Sequence, residues 1–300
     1  MIVVFGSINL DLTATIDRLP NAGETRTGDS FSMTPGGKGA NQALASRRAG
    51  SNVAMYGAVG RDAFADSALA LLRADGVDVS TVRVVDGPTG VALIHIDANG
   101  ENAITVVAGA NAQASADWVP DSALDSATIV VMQLEVPLCE VEALTRRAHA
   151  AGSRVILNGA PARRLSAELL GKIDVLVVNE IEAGTLSGAL DIAAAPMEFV
   201  SQYRARFGRD AVVSLGSRGL VATSSTGAIA VAAPNLNIVD TVGAGDALVG
   251  ALAAALDRKT PWMRALEEAV AAGSLACTQA GAQPSLPQRD AIAALAEIIR

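Results

Sequence analysis

Short, unbroken apolar runs rich in β-branched residues recur along this chain, at 2–5, 53–56, 129–132, 155–157, 175–178 and 211–214. A strand with one face in water alternates apolar with polar residues, so continuous runs this short read as strands buried on both faces. Helical patterns lie between several of them, at 40–49, 63–74 and 138–151, the last two closed by Gly76 and Gly152. Strand and helix in alternation lead to a mostly parallel central sheet covered on both sides, a three-layer α/β/α sandwich.

Two stretches break the alternation. Residues 13–33 are rich in Thr, Gly, Asp and Pro without a helical period, and 91–107 hold two apolar runs around Asp97-Ala98-Asn99-Gly100, whose Asn-Gly step favours a hairpin. Both return to the α/β pattern, so they read as excursions from one domain that join into a small β-sheet. That sheet is either a lid over a site or an extra layer packed on the core. The expected division is an α/β core of 1–12, 34–90 and 108–300 and a lid of 13–33 and 91–107. Beyond Gly243 the chain reads as helical, at 245–256, 262–279 and 289–299, with a turn-rich break at 281–287.

Half of the 300 residues are apolar and only 18% are charged, which excludes a disordered chain and allows one sizeable core. Aromatics make up 3%, so that core is built from Ala, Val, Leu and Ile. With 23 basic against 31 acidic residues the surface is not made to neutralise nucleic acid or anionic lipid, and any anionic ligand needs a local site. The N-terminal segment lacks a basic n-region and no apolar run approaches about 18 residues, so a cytoplasmic protein is expected. Cys139 and Cys277 lack CxxC spacing and read as reduced thiols inside apolar helices. His95 and His149 have no second ligand or nucleophile at motif spacing and read as structural or surface residues.

The densest chemical signal is Asp240-Thr241-Val242-Gly243-Ala244-Gly245-Asp246, directly before the apolar helix 247–256. Glycines at a helix start let a phosphate reach the unpaired N–H groups and the positive dipole end. Asp246 in the first turn is then either a general base on an alcohol beside that phosphate or a helix-start carboxylate worth about 0.3 to 1 kcal/mol. A second cluster, Pro35-Gly36-Gly37-Lys38-Gly39-Ala40-Asn41-Gln42, also leads into a helix; it is not a P-loop, since Gly39 follows Lys38. Asn9 and Asp11, two apart after the first strand, point the same way in an extended segment and suit a polyhydroxyl ligand. The turn after that strand, Gly6-Ser7-Ile8-Asn9, lacks the GxGxxG of a dinucleotide-binding dehydrogenase.

An N-terminal GGKGAN (36–41) followed by a C-terminal DTVGAGD (240–246) resembles the PfkB family of carbohydrate kinases. The segments GSINLD, GETRTG, TGVALI, GENAI, AGAN, QLE, NEIEA, LGSRG and GAQPS extend the resemblance over nearly the whole chain. It implies an α/β sandwich with a β-sheet lid, an enzyme that uses ATP and a small sugar, and Asp246 as base. Gly243, Ala244 and Gly245 would hold the charge of the transferring phosphoryl group. Asn9, Asp11, Gly37, Lys38, Asn41 and Glu135 would bind sugar hydroxyls, and Ile104 would cover the ring. Asn179, Ser214 and Gly216 would line the nucleotide site, and Glu182 would help place Mg²⁺ that arrives with ATP. An activating K⁺ would sit on Asp240 and the carbonyls of Val242, Ala276, Gln279 and Gly281, with Ser285 nearby. The implied acceptor is O5 of D-ribose; a nucleoside or another small sugar such as deoxyribose or fructose is the alternative. The resemblance also implies a homodimer paired through the lids. Two departures stand out: Leu248 replaces the aromatic of the family's DxFxG continuation, and Asn158-Gly159-Ala160-Pro161 replaces an NPAP segment.

Overall fold

Along the strand Ile2–Phe5, Ile2 and Val4 enter one hydrophobic core while Val3 and Phe5 enter another. The strands Ile129–Met132 and Val175–Asn179 divide their side chains in the same way, which is the period of two acting on a sheet covered on both faces. The structure, a computed structural model, describes residues 1–299; Arg300, the last residue of the expected core, lies outside the described residues. The main sheet runs Gly227–Val231, Leu220–Ser224, Asp210–Ser214, Val175–Asn179, Arg154–Asn158, Ile129–Met132, Ile2–Phe5, Val53–Tyr56. Its last six strands are parallel, and the first two form an antiparallel hairpin on one edge. That hairpin lies outside the alternation of strand and helix and is not read from the sequence, although 228–233 is an apolar run.

One side of the sheet is covered by the helices Lys38–Arg48, Ala244–Asp257 and Trp262–Ala276, the other by Leu138–Ala150, Glu180–Leu190 and Pro196–Phe207. On the first side small residues do the packing. A Cβ on Gly250 would lie 2.4 Å from the Cβ of Ala45, so the helices Ala244–Asp257 and Lys38–Arg48 approach closely only because Gly250 has none. The C-terminal helices stop earlier than expected, at Ala276 and Ala296, and the turn-rich break holds the short helix Ala282–Ser285.

The two excursions supply a separate four-stranded sheet in the order Ser30–Gly36, Asn9–Thr15, Gly90–Ile96, Asn102–Val107. It reaches further into the chain than the expected lid of 13–33 and 91–107. Pairing runs without a break from Thr15 opposite Ser30 to Asn9 opposite Gly36, through buried Leu10 and through Pro35-Gly36, residues that carry no strand signal of their own. Both cysteines are free; Cys139 lies in the first turn of Leu138–Ala150 but is exposed, and Cys277 directly follows the end of Trp262–Ala276 rather than lying inside it. Among the described residues no helix is long and apolar enough to cross a membrane.

Candidate active site

Two of the long helices begin at glycines with positive φ, Gly37 with φ 88° before Lys38–Arg48 and Gly243 with φ 80° before Ala244–Asp257. Their amides have different fates. In the first helix the N–H of Lys38 donates to Glu135 Oε2 (3.1 Å), that of Gly39 to Ser7 Oγ (3.3 Å) and that of Ala40 to the Ser7 carbonyl (2.9 Å). In the second, the Ala244 N–H makes a long bond to the Thr241 carbonyl (3.3 Å), and those of Gly245 and Asp246 meet no acceptor among the described residues. Of these two, the Gly243 turn is therefore the one that keeps N–H groups available for an anion.

Asp246 is 6% exposed. Its Oδ2 accepts from Asn41 Nδ2 (2.9 Å) and its Oδ1 from Gln42 Nε2 (2.8 Å), so both oxygens are held while lone pairs remain on each. Gln42 was visible in the glycine-rich segment beside Asn41, but nothing local marks it as a carboxylate partner.

Asp11 lies on the face of the small sheet turned to this centre and is 9% exposed, with no donor to its carboxylate among the described residues. Burial, and then the nearby Glu135 and Asp246 carboxylates, push its pKa up to about 7. A Cβ on Gly36 would fall 2.3 Å from Asp11 Oδ2, so the glycine makes room for that carboxylate. Glu135 Oε2 also accepts from Ser7 Oγ (2.6 Å). Asn9 Oδ1 accepts from Asn111 Nδ2 (2.7 Å), and Asn111 Oδ1 in turn accepts from the Ile8 N–H (2.9 Å). Asn111 thereby turns the Asn9 amide so that its NH₂ is the free end; it ends the AGAN segment and was not singled out. Cross-strand register places Asp11, Ala92 and Val106 in one row and Thr13, Ile94 and Ile104 in the next, on the same face. Ile104 stands on the outermost strand, 52% exposed, and is not packed into the centre.

Lys38, Asn179, Glu182, Ser214, Gly216, Gly243, Gly245 and Asp246 line one cleft of about 450 Å³. It opens into a more apolar cavity of about 500 Å³ walled by Ala233, Pro234, Ile238, Val270 and Cys277. The two spaces share Ser214, Gly216, Gly245 and Leu248, so the residue that replaces an aromatic is part of the dividing wall, and Ala160 lines the first cleft. Asn179 and Glu182 form a capping box on the helix Glu180–Leu190, with Asn179 Oδ1 accepting from the Glu182 N–H and Glu182 Oε2 from the Asn179 N–H, both at 2.8 Å. Burial raises the Glu182 pKa. The Asp246 carboxylate is the largest influence on Lys38 and holds its ammonium pKa up.

Three segments meet behind the Gly243 turn. Asp240 Oδ1 accepts from the Val242 N–H (3.0 Å), its Oδ2 from the Gly281 N–H (2.9 Å), and its own N–H reaches the Cys277 carbonyl (3.3 Å). The carbonyls of Val242, Ala276 and Gln279 accept no hydrogen bond among the described residues, and the Ser285 hydroxyl donates to the Ala282 carbonyl (2.9 Å) with its lone pairs free. A donor set of neutral carbonyls with one carboxylate suits a weakly held monovalent cation. Among the described residues there is no cluster of three or more His, Cys, Asp or Glu of the kind that cages a multivalent metal.

Residues 1–289 match the pfkB family carbohydrate kinase. The ribokinase of Schizosaccharomyces pombe is 37% identical over 95% of this chain and 94% of its own. Among solved structures, the ribokinase of Thermotoga maritima superposes with a TM-score of 0.91 at 28% identity, covering 99% of both chains. The Arabidopsis thaliana ribokinase complexed with ribose and ATP superposes with a TM-score of 0.88 at 32% identity, covering 99% of this chain and 98% of that one. A buried carboxylate beside free helix N–H groups is thus found in a chain that matches this family over nearly its whole length: the protein belongs to the pfkB family of carbohydrate kinases, enzymes that transfer phosphate to a sugar hydroxyl.

Proposed function

We propose that the chain phosphorylates D-ribose at O5 with ATP, giving ribose 5-phosphate and ADP. The observation that carries the reading is Asp246, buried at a glycine-led helix start whose first N–H groups, unlike those of the Gly37-led helix, stay free, between the nucleotide cleft and the unpaired Asp11 carboxylate. The Arabidopsis relative with ribose and ATP supports the choice of substrates. Asn9, Asp11, Gly37, Lys38, Asn41 and Glu135 bind the sugar hydroxyls; a sugar offers the several donors that Asp11 lacks within the chain. The O5 hydroxyl gives its proton to Asp246 as its oxygen forms a bond to the γ-phosphorus and the bond to the ADP oxygen breaks. The amides of the Gly243-Ala244-Gly245 turn hold the charge on the phosphoryl oxygens. Ile104, on the lid strand, closes over the ring.

Asn179, Ser214 and Gly216 flank the nucleotide, and Glu182, one oxygen of which remains outside its capping box, takes part in placing hydrated Mg²⁺. When bound, Mg²⁺ would supply positive charge that offsets the charge of the phosphates. Asp240 and the carbonyls of Val242, Ala276, Gln279 and Gly281, with Ser285 nearby, would hold K⁺, whose charge would steady the Gly243 turn. The test is ADP release with Mg·ATP on D-ribose, deoxyribose, fructose, adenosine and inosine, with and without K⁺. Turnover on ribose that rises several-fold with K⁺ is expected. Preference for a nucleoside or another sugar overturns the ribose assignment, and indifference to K⁺ overturns the cation site.

Two copies pair through the small sheets. Phe31, Met33 and Leu93 lie exposed on the face opposite Asp11, and covering them removes apolar surface from water. Light scattering at micromolar concentration should give twice the chain mass; a monomer mass overturns this pairing.

A further inference from the structure

Behind Asp246 lies a run of buried side-chain amides that the reaction itself does not touch. Gln42 and Gln133 are wholly buried and Asn158 nearly so. Gln42 Nε2 donates both to Asp246 Oδ1 (2.8 Å) and to Asn158 Oδ1 (3.1 Å), and Gln42 Oε1 accepts from Gln133 Nε2 (2.7 Å). Asn158 Nδ2 donates to the Val177 carbonyl (3.1 Å).

The direction of every amide is forced from the two ends. A peptide carbonyl can only accept, so Asn158 turns its nitrogen to Val177 and its oxygen to Gln42. An ionised carboxylate can only accept, so Gln42 turns its nitrogen to Asp246 and is left with its oxygen for Gln133. The remaining atom, Gln133 Oε1, lies against Gly6, where an added Cβ would stand 1.9 Å from it; a side chain at position 6 would displace the end of the run. Gln133 directly follows the strand Ile129–Met132, and Asn158 ends the strand Arg154–Asn158. The amides therefore tie the ends of two central strands to the two helices that carry Gln42 and Asp246.

Resting on the reading of Asp246 as the base, we propose that Gln42 is a positioning residue, held by Gln133 and Asn158, that orients the Asp246 carboxylate toward the sugar hydroxyl and stabilises its charged form. Gln42 holds Oδ1 while Asn41 holds Oδ2, so turning the carboxylate out of its observed plane strains or breaks these bonds. The carboxylate also faces the Lys38 ammonium and the Asp11 and Glu182 carboxyls, and a donated hydrogen bond is one of the contacts that favour its charged form.

The test measures kcat against pH, sugar KM and thermal midpoint for the full-length Gln42→Leu, Gln42→Glu and Asp246→Asn proteins. In Gln42→Leu, kcat should fall roughly 10- to 100-fold near pH 7 with sugar KM within about threefold, and the acidic limb of the profile should move at least about half a pH unit upward. Gln42→Glu keeps the volume but faces one carboxylate with another, and should move the same limb further in the same direction. It serves alone if the leucine variant does not fold. A limb that stays at the parent position in whichever variant folds overturns the proposal, including when kcat and the thermal midpoint fall together, because a purely structural role would do that. Near-parent turnover in Asp246→Asn would instead overturn the base assignment; loss of turnover there with an unmoved limb in the Gln42 variants defeats only the positioning role.

Discussion

Asp246→Asn is expected to lower kcat by at least about 10²-fold while the equilibrium affinity for the sugar changes far less, since general base catalysis typically contributes about 10²- to 10⁴-fold. The geometry adds a reason beyond the lost proton acceptor. Both carboxylate oxygens accept, one from Asn41 and one from Gln42, and an amide at position 246 can accept at only one of them. Its NH₂ then faces another donor, so the side chain turns and one of the two bonds breaks. Steady-state kinetics together with calorimetric sugar binding check this. A variant with near-parent kcat would remove Asp246 from the chemistry and leave it as a carboxylate at a helix start.

Asp11→Ala is expected to weaken sugar binding roughly 10- to 100-fold with a smaller effect on kcat, because a hydrogen bond to a charged group is worth about 1.5 to 3 kcal/mol. The pH dependence follows from the raised pKa, set first by burial and then by Glu135 and Asp246. The folded protein without sugar holds a proton on Asp11 up to about pH 7, whereas the unfolded chain releases it near 3.8. Stability from this group is therefore lost as pH rises through that window, the reverse of an ion-paired carboxylate. Sugar hydroxyls that donate to the ionised form draw the proton off, so affinity should increase as pH rises through about 7. In Asp11→Asn that increase should vanish and the thermal midpoint above pH 7 should exceed the parent's. A pH-independent parent affinity, or an unchanged sugar KM in the alanine variant, would show that Asp11 does not face the substrate.

The layered architecture was legible because its signals are local. Each parallel strand announces itself as an apolar run, the Asn99-Gly100 step marks the hairpin turn, and the glycines before both helices sit next to the elements they start. What went unread lay outside the alternation of strand and helix. The edge hairpin Leu220–Ser224 and Gly227–Val231 follows the strand Asp210–Ser214 with no long helix between, and pairs antiparallel where the rest of the sheet is parallel. The small sheet extends to Asn9 and Gly36 because backbone pairing, indifferent to side-chain type, carries it through a proline and a glycine.

The sequence by itself determined the sandwich, the excursion into a second sheet and the family, and it marked Asp11, Lys38, Asn41 and Asp246 as candidates. Tertiary structure alone decided which glycine-led helix keeps its amides for an anion. Ser7 and Glu135, 32 and 97 residues from their partners, consume those of the first helix and leave the second one free. It also decided that Gln42 grips Asp246 from 204 residues away and that Asn111 turns Asn9 from 102 away. A hydrogen bond depends on where two groups meet in space, and over such separations only the closed fold brings them within about 3 Å.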